Sequence, residues 1–497
     1  MNKKHFIIAF VMVFGCTTMQ AQTIDDFRKQ FEEATALWKK QFRDFREKCN
    51  QEYADFIRQH WEEKGVEPPR VMPEDGKPIP PDFLPEKDRQ LVLQDKLVPL
   101  FEIVPYKMPE PQPEPVEPIK EVPLPEIEEE TTFTFTFRGT QATVRLGDKH
   151  RFRMNDCTEE SVAKAWEHCS KVEFDNLLFD CLELRNKYQL CDWAYLDMLR
   201  TLGRSFFGKG TNEAVLLTSY IYCQSGYKMR MARGDSGRLY MLYASKHHIY
   251  GYTYFVIDNE SYYTIDCEEE SLHICKATFP KERPMSLLVG KAPRYDVGQT
   301  KERTLQSARY ANVKATVQIN KNLIDFYDSY PRSGSEIDDN FMTRWAIYAN
   351  TPLAEDIKQS LYPALQQVIA GLSEKEAANR LLNFVQTGLT YEYDEKVWGD
   401  DRAFFAEESL YYPYADCEDR SVLFSRLVRD LLGLKVVLVH YPGHLATAVC
   451  FNDEVKGDFI QVNDQKFVVC DPTFIGGPVG WTMTSCRNQP TTVILLD

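Results

Sequence analysis

Positive charge is in the minority in this chain. Its 497 residues carry 59 Lys plus Arg against 74 Asp plus Glu, a net charge of -15. Nothing global therefore draws it to a phosphate backbone, and nucleic acid is not an expected partner. Long apolar runs are missing after Phe14, so no later segment is expected to cross a membrane. No CxxC pair occurs, and 13 cysteines are too few for a disulfide scaffold in a chain of this length. The spacing of Cys157, Cys169, Cys181 and Cys191 matches no zinc ribbon, and they read as buried apolar positions. What is present is 43% hydrophobic and 13% aromatic residues, enough for packed cores and, at this length, for more than one of them.

The one long apolar run is at the start. Lys3 and Lys4 precede Phe6 to Phe14, and small or polar residues follow to Gln22. That layout is too short to span a bilayer and is that of a secretory signal over 1–21, implying export to a bacterial periplasm or cell envelope. Cleavage after Ala21 is one reading; lipidation at Cys16, giving a lipid anchor, is the other.

Residues 22–66 place Phe27, Phe31, Ala34, Trp38, Phe42, Phe45, Cys49, Tyr53 and Phe56 at a mean spacing of about 3.6, the stripe of one long amphipathic helix. Its charged face is mixed in sign, so 24–64 reads as a protein-partner surface rather than a membrane one. Residues 67–130 hold a proline-rich linker with the run Pro109-Glu-Pro-Gln-Pro-Glu-Pro115, which excludes regular helix and central strand. Within it, Gln90 to Val104 is an apolar island able to dock locally. Folded sequence resumes at Thr132-Phe-Thr-Phe-Thr-Phe137, whose alternation, followed by Arg138-Gly139, predicts a β-hairpin. The expected organisation is α+β throughout, with one domain over 131–290, a connecting strand and turn region over 291–342, and a second domain over 343–497.

Chemistry concentrates in the second domain. Tyr411-Tyr-Pro-Tyr-Ala-Asp-Cys-Glu-Asp-Arg420 leads into Val422, Leu423, Leu427 and Leu431, with a stop at Gly433. Pro413 cannot lie inside that helix, so it should start close to Cys417. A thiol at a helix start feels unpaired backbone N–H groups, which favour thiolate. Next come Val436-Val-Leu-Val-His440, the turn Tyr441-Pro-Gly443, a strand beginning at His444, and further strands ending near Asp471. Cys417, His444 and Asp471 are equally spaced. Together they supply a thiol, an imidazole to take and return its proton, and a carboxylate to fix the imidazole tautomer. His440 and His444 form HxxxH, but Pro442 and Gly443 forbid the helix that makes such spacing chelating.

These residues resemble the transglutaminase-like superfamily, in its bacterial transglutaminase-like cysteine peptidase branch. Asp416-Cys-Glu-Asp419 is similar to the nucleophile motif, with Ala415 where Gly is usual. His444-Leu-Ala-Thr-Ala-Val449 is similar to the histidine strand, and Val469-Cys-Asp-Pro-Thr473 to the aspartate motif. The resemblance spans residues 378 to 483. It implies a papain/transglutaminase-like core, a nucleophile helix on an antiparallel sheet. It also implies Cys417 as nucleophile, His444 as general base and acid, and Asp471 as the orienting carboxylate, with no metal or cofactor. Tyr391 and Trp398 are candidate cleft walls.

Laying Gly226-Tyr-Lys228 on Gly433-Leu-Lys435 pairs Val215 with Val422 and Gly210 with Cys417, and further on Tyr262-Tyr-Thr-Ile-Asp266 mirrors Phe467 to Asp471 in pattern. The first domain thus reads as a degenerate copy without a nucleophile. Two functions follow: an exported enzyme transferring acyl groups from peptide or glutamine amides through a Cys-His-Asp triad, or a noncatalytic transglutaminase-like scaffold of the cell envelope.

Overall fold

The computed structural model describes residues 43–73, 77–91, 93–99, 102–104, 131–335 and 341–497. The signal at 1–21 with Cys16, the helix stripe up to Phe42 and the Pro109–Pro115 run lie outside them. The chain divides into a unit ending at Tyr53 and one running from Ala54 to Asp497. The described part of the first, 43–53, is helical, as are 54–57 of the second.

The helix expected over 22–66 stops at residue 57, and Glu62–Gly65 instead forms strand β1. Ala54, Ile57 and Trp61 are buried, and the Trp61 indole donates to the Ile57 carbonyl at 2.8 Å. Phe56, assigned to the apolar stripe, is exposed. β1 pairs with the edge strand Ser271–Ile274, and Pro68-Pro69 exclude helix beyond it.

The fold is mixed α+β. Strands β2 (Lys96–Leu97) and β3 (Glu102–Val104) come from the proline-rich stretch. The hairpin β4 (Thr132–Phe137) and β5 (Thr140–Arg145) turns through Arg138 and Gly139, both at positive φ, and buries Phe135 and Phe137. Helices α1 (Glu159–Cys169), α2 (Asp175–Lys187), α3 (Asp192–Phe207) and α4 (Asn212–Gln224) follow. A side chain at Gly203 would meet the Ala214 carbonyl at 2.7 Å, so α3 packs on α4 at glycine distance. Strands β6 (Met229–Arg233), β7 (Leu239–Ala244), β8 (His247–Ile249), β9 (Tyr254–Ile257), β10 (Glu260–Tyr263) and β11 (Ser271–Ile274) complete the first half.

The second half opens with the hairpin β12 (Thr300–Gln306) and β13 (Lys314–Asn320), then α5 (Lys321–Asp328) and the short β14 (Ser333–Ser335). Helices α6 (Arg344–Asn350), α7 (Glu355–Ile369), α8 (Glu374–Gly388), α9 (Asp394–Val397), α10 (Ala406–Tyr411) and α11 (Cys417–Leu432) come next. The last strands are β15 (Lys435–Tyr441), β16 (His444–Cys450), β17 (Asp458–Val462), β18 (Gln465–Cys470) and β19 (Thr492–Leu495). The β12–β13 hairpin packs on α7 and α8, so part of the region read as a connector over 291–342 builds the second half itself.

The two large sheets follow the same path. One has the order β1-β11-β6-β7-β10-β9 and the other β2-β17-β18-β16-β15-β19-β3. In each, a helix (α4 or α11) feeds the strand second from one end of a shared five-strand antiparallel order, and the matching strands stand at matching places. The helix starts pair Asn212 with Cys417, and the strand starts pair Leu239 with His444 at the same spacing. The alignment of Gly210 with Cys417 is therefore two residues out of register.

The proline-rich stretch, expected as a spacer, bridges to Tyr254 and Tyr250 of the first half at Glu67 and Arg70, and its later described parts lie along the second sheet. β2 pairs with β17 and β3 with β19, both parallel. The Leu84 amide donates to the Ile475 carbonyl at 3.0 Å and the Ile79 amide to the Gly443 carbonyl at 2.8 Å. Proline is tolerated at such edges because a donor is needed only on the paired side.

Candidate functional site

Cys417 is the first residue of α11. Asp416 precedes it in extended conformation, its amide donating to Asp419 Oδ2 at 3.2 Å, and the helix stops at Gly433 with φ 67°. Strand β16 begins at His444 after a turn whose Gly443 has φ +75°. A side chain there would strike the Lys77 carbonyl at 2.1 Å, so glycine is required both by the turn and by the segment crossing it. The Ser421 hydroxyl donates to the Leu445 carbonyl at 2.9 Å, tying the first turn of α11 to the start of β16.

His444 Nε2 lies 2.9 Å from Asp471 Oδ2, and both residues are buried. Asp471 is held by its other oxygen, Oδ1, which accepts the amides of Thr473 at 2.9 Å and Phe474 at 3.3 Å. A carboxylate can only accept, so the imidazole proton sits on Nε2 and Nδ1 is the acceptor. Nδ1 is buried and has no hydrogen-bond partner.

Cys417 Sγ donates to Glu418 Oε2 at 3.0 Å, and the Leu445 N–H points at the sulfur. Burial first, then the Glu418 and Asp416 charges, push the thiol well above its ordinary value, and the Leu445 amide only partly opposes them. This is the reverse of what a helix start alone would do: two acidic neighbours and burial outweigh the dipole.

Those neighbours belong to a larger group. Asp394 is pushed up to about 8 by burial and by Glu418. Asp416 and Asp419 are pushed well above the carboxylate range by burial first and then by the Glu418 and Asp394 charges, with Asp419 also raising Asp416. Ligand atoms of Asp394, Asp416 and Asp419, and of Asp394, Asp401 and Glu418, come within 4.8 Å of each other, a donor set whose chemistry suits a hard, oxygen-preferring cation. The sequence alone placed Asp416 and Asp419 only in the segment similar to the nucleophile motif. The His440 ring stacks on Trp345 at 5.1 Å.

Three supporting residues were missed or underrated. Gln386 Nε2 donates to the carbonyls of Asp471 at 3.1 Å, Phe474 at 2.7 Å and Gly477 at 2.9 Å, fixing the loop that carries the aspartate. Buried Arg420 ties the Ala415, Gln386 and Leu389 carbonyls together at 3.0–3.1 Å. Tyr391 keeps a buried hydroxyl with no hydrogen-bond partner, and Cys417 and Asp416 are among the charges pushing it up after burial. The Arg420 guanidinium carbon lies 5.3 Å from the Tyr391 ring centroid. Trp398 instead packs against Phe404 at 5.7 Å and Tyr412 at 4.7 Å. A cavity of about 120 Å³ touches Glu418 and is lined also by Arg344, Trp345, Tyr348 and Met72.

No family model, curated protein or solved structure matches the chain. Among the described residues no helix is long and apolar enough to cross a membrane.

Proposed function

We propose that this chain is an exported thiol-dependent enzyme that cleaves or transfers acyl groups from peptide or glutamine amides. Cys417, His444 and Asp471 would work on a transglutaminase-like core. The observation that carries the reading is the buried His444–Asp471 pair at 2.9 Å, whose second ring nitrogen is unpartnered. It lies at the start of the strand to which the Cys417 turn is bonded. In the reaction the Cys417 proton passes to His444 Nδ1 and sulfur attacks the amide carbon. The oxyanion is met by donors that include the Leu445 amide and the Tyr391 hydroxyl. His444 returns the proton to the departing amine, leaving a thioester. Water, or an amine for transglutamination, then displaces sulfur with His444 again as base. Hydrolysis is the preferred outcome.

A second reading, a noncatalytic scaffold of the cell envelope, is favoured by one observation: Cys417 is buried and held protonated beside Glu418. Replacing Cys417 by Ala separates the two. The enzyme reading expects a folded protein with no turnover of peptide amides, and retained turnover would place the nucleophile elsewhere.

A further inference from the structure

The first half has a pocket at the place where the second half has its triad. A cavity of about 90 Å³ is lined by Asn212, Leu239 and Asp266. Asn212 begins α4 as Cys417 begins α11, and Leu239 begins β7 as His444 begins β16. Asp266 follows β10 as Asp471 follows β18. Asn212 Oδ1 accepts the Leu239 amide at 3.0 Å, a helix-to-strand contact one residue earlier on its strand than the one the Leu445 amide makes toward Cys417. The framework of the cleft is kept, while the nucleophile and base are replaced by an amide and an alkyl group. This pocket has no acyl-transfer chemistry.

What it has instead is positive charge. Arg200 and Arg204 stand one turn apart on α3, and both donate to the same oxygen, Asp266 Oδ2, at 3.0 Å. Arg238 lines the same cavity from the exposed end. Three guanidinium groups face one carboxylate in a chain whose net charge is -15. Arg200 is largely buried; burial and Arg204 disfavour its charge, while Asp266 and Asp197 favour it. A further observation points the same way: Tyr243, which lines the cavity and is buried, has a hydroxyl with no hydrogen-bond partner.

We propose that this pocket binds a carboxylate-bearing peptide group, an acidic side chain or a chain terminus, through Arg200, Arg204, Arg238 and Tyr243. A carboxylate suits it because Asp266 already shows one bridging Arg200 and Arg204. The cavity of about 90 Å³ has room for a carboxylate and the methylenes that carry it. Val215, Leu239 and Met241 supply an apolar wall for those methylenes. The proposal is independent of turnover at Cys417.

The test is calorimetric titration of the full chain, as its Cys417→Ala variant so that no peptide is consumed. The ligands are an end-blocked tetraglutamate peptide, its tetraglutamine counterpart, glutarate and inorganic phosphate. The expected result is tetraglutamate bound at least about tenfold more tightly than tetraglutamine, with glutarate competing. Binding should weaken at least about tenfold in Arg238→Gln, as loss of one charge-assisted hydrogen bond requires. Arg238 is exposed, so its replacement disturbs the fold less than that of the largely buried Arg200. Equal binding of the two peptides, unchanged binding in folded Arg238→Gln, or phosphate bound more tightly than tetraglutamate would each overturn the assignment.

Discussion

Replacing Asp471 by Asn tests the proposed proton path through a change of a single atom type. The geometry decides how the new amide sits. Asp471 Oδ1 accepts two buried backbone amides, at 2.9 and 3.3 Å, while Oδ2 faces His444 Nε2 at 2.9 Å. Turning the Asn NH2 toward Thr473 and Phe474 would leave two buried N–H donors without an acceptor, at a cost of about 1–3 kcal/mol each. The carbonyl therefore stays on the backbone side and the NH2 faces the imidazole. His444 Nε2 must then accept, and the ring proton moves to Nδ1, the nitrogen that has to receive the thiol proton. The NH2 also repels the N–H that Nε2 carries in an imidazolium. The same tautomer error in a Ser-His-Asp triad lowers kcat by about 10⁴. A loss of about 10³–10⁴ is expected here, or about 4–5.5 kcal/mol on the barrier. The assay is single-turnover acylation by an amide substrate across pH, beside thermal unfolding of both proteins. Folded Asp471→Asn acylating within tenfold of the parent would refute the reasoning.

Other predictions concern the acidic surroundings. Glu418→Gln removes the carboxylate that accepts the thiol proton at 3.0 Å and, after burial, most raises the Cys417 thiol. Iodoacetamide should then modify Cys417 from a lower pH than in the parent, and an unchanged pH profile would count against the contact. Buried Glu407 is pushed up to about 7 by burial, although one oxygen accepts the Ala354 amide at 2.6 Å. A carboxyl raised on folding stabilises below its unfolded value near 4.5, and that stability is lost as pH climbs through 7. Glu407→Gln, a mimic of the protonated acid, should match the parent at about pH 5 and gain on the order of 3 kcal/mol at about pH 8. Equal differences at both pH values in denaturant unfolding would contradict this.

Local signals carried much of the second half. Pro413 and Gly433 bracket α11 in the sequence as they do in the structure, and the Pro442-Gly443 turn marks the start of β16 at His444. The Thr-Phe alternation marks β4 in the same way, because side-chain period and turn chemistry act over a few residues. What escaped depends on distant partners. Gln386 sits in an ordinary amphipathic helix, and only the folded Asp471 loop gives its amide a purpose. Asp394 and Asp401 carry no pattern linking them to Glu418. β2 and β3 are two and three residues long, defined by the sheet edges they reach rather than by their own sequence. The direction of the Cys417 shift was misjudged for the same reason: the helix start is local, whereas the burial comes from elements far along the chain.

Intact-mass and peptide mass spectrometry of the chain quenched during reaction with an activated acyl donor reads the central claim most directly. The account predicts one acyl group, mapped to Cys417, absent in Cys417→Ala and formed far more slowly in His444→Ala. An acyl group on any other cysteine, or turnover with Cys417 never modified, would contradict it.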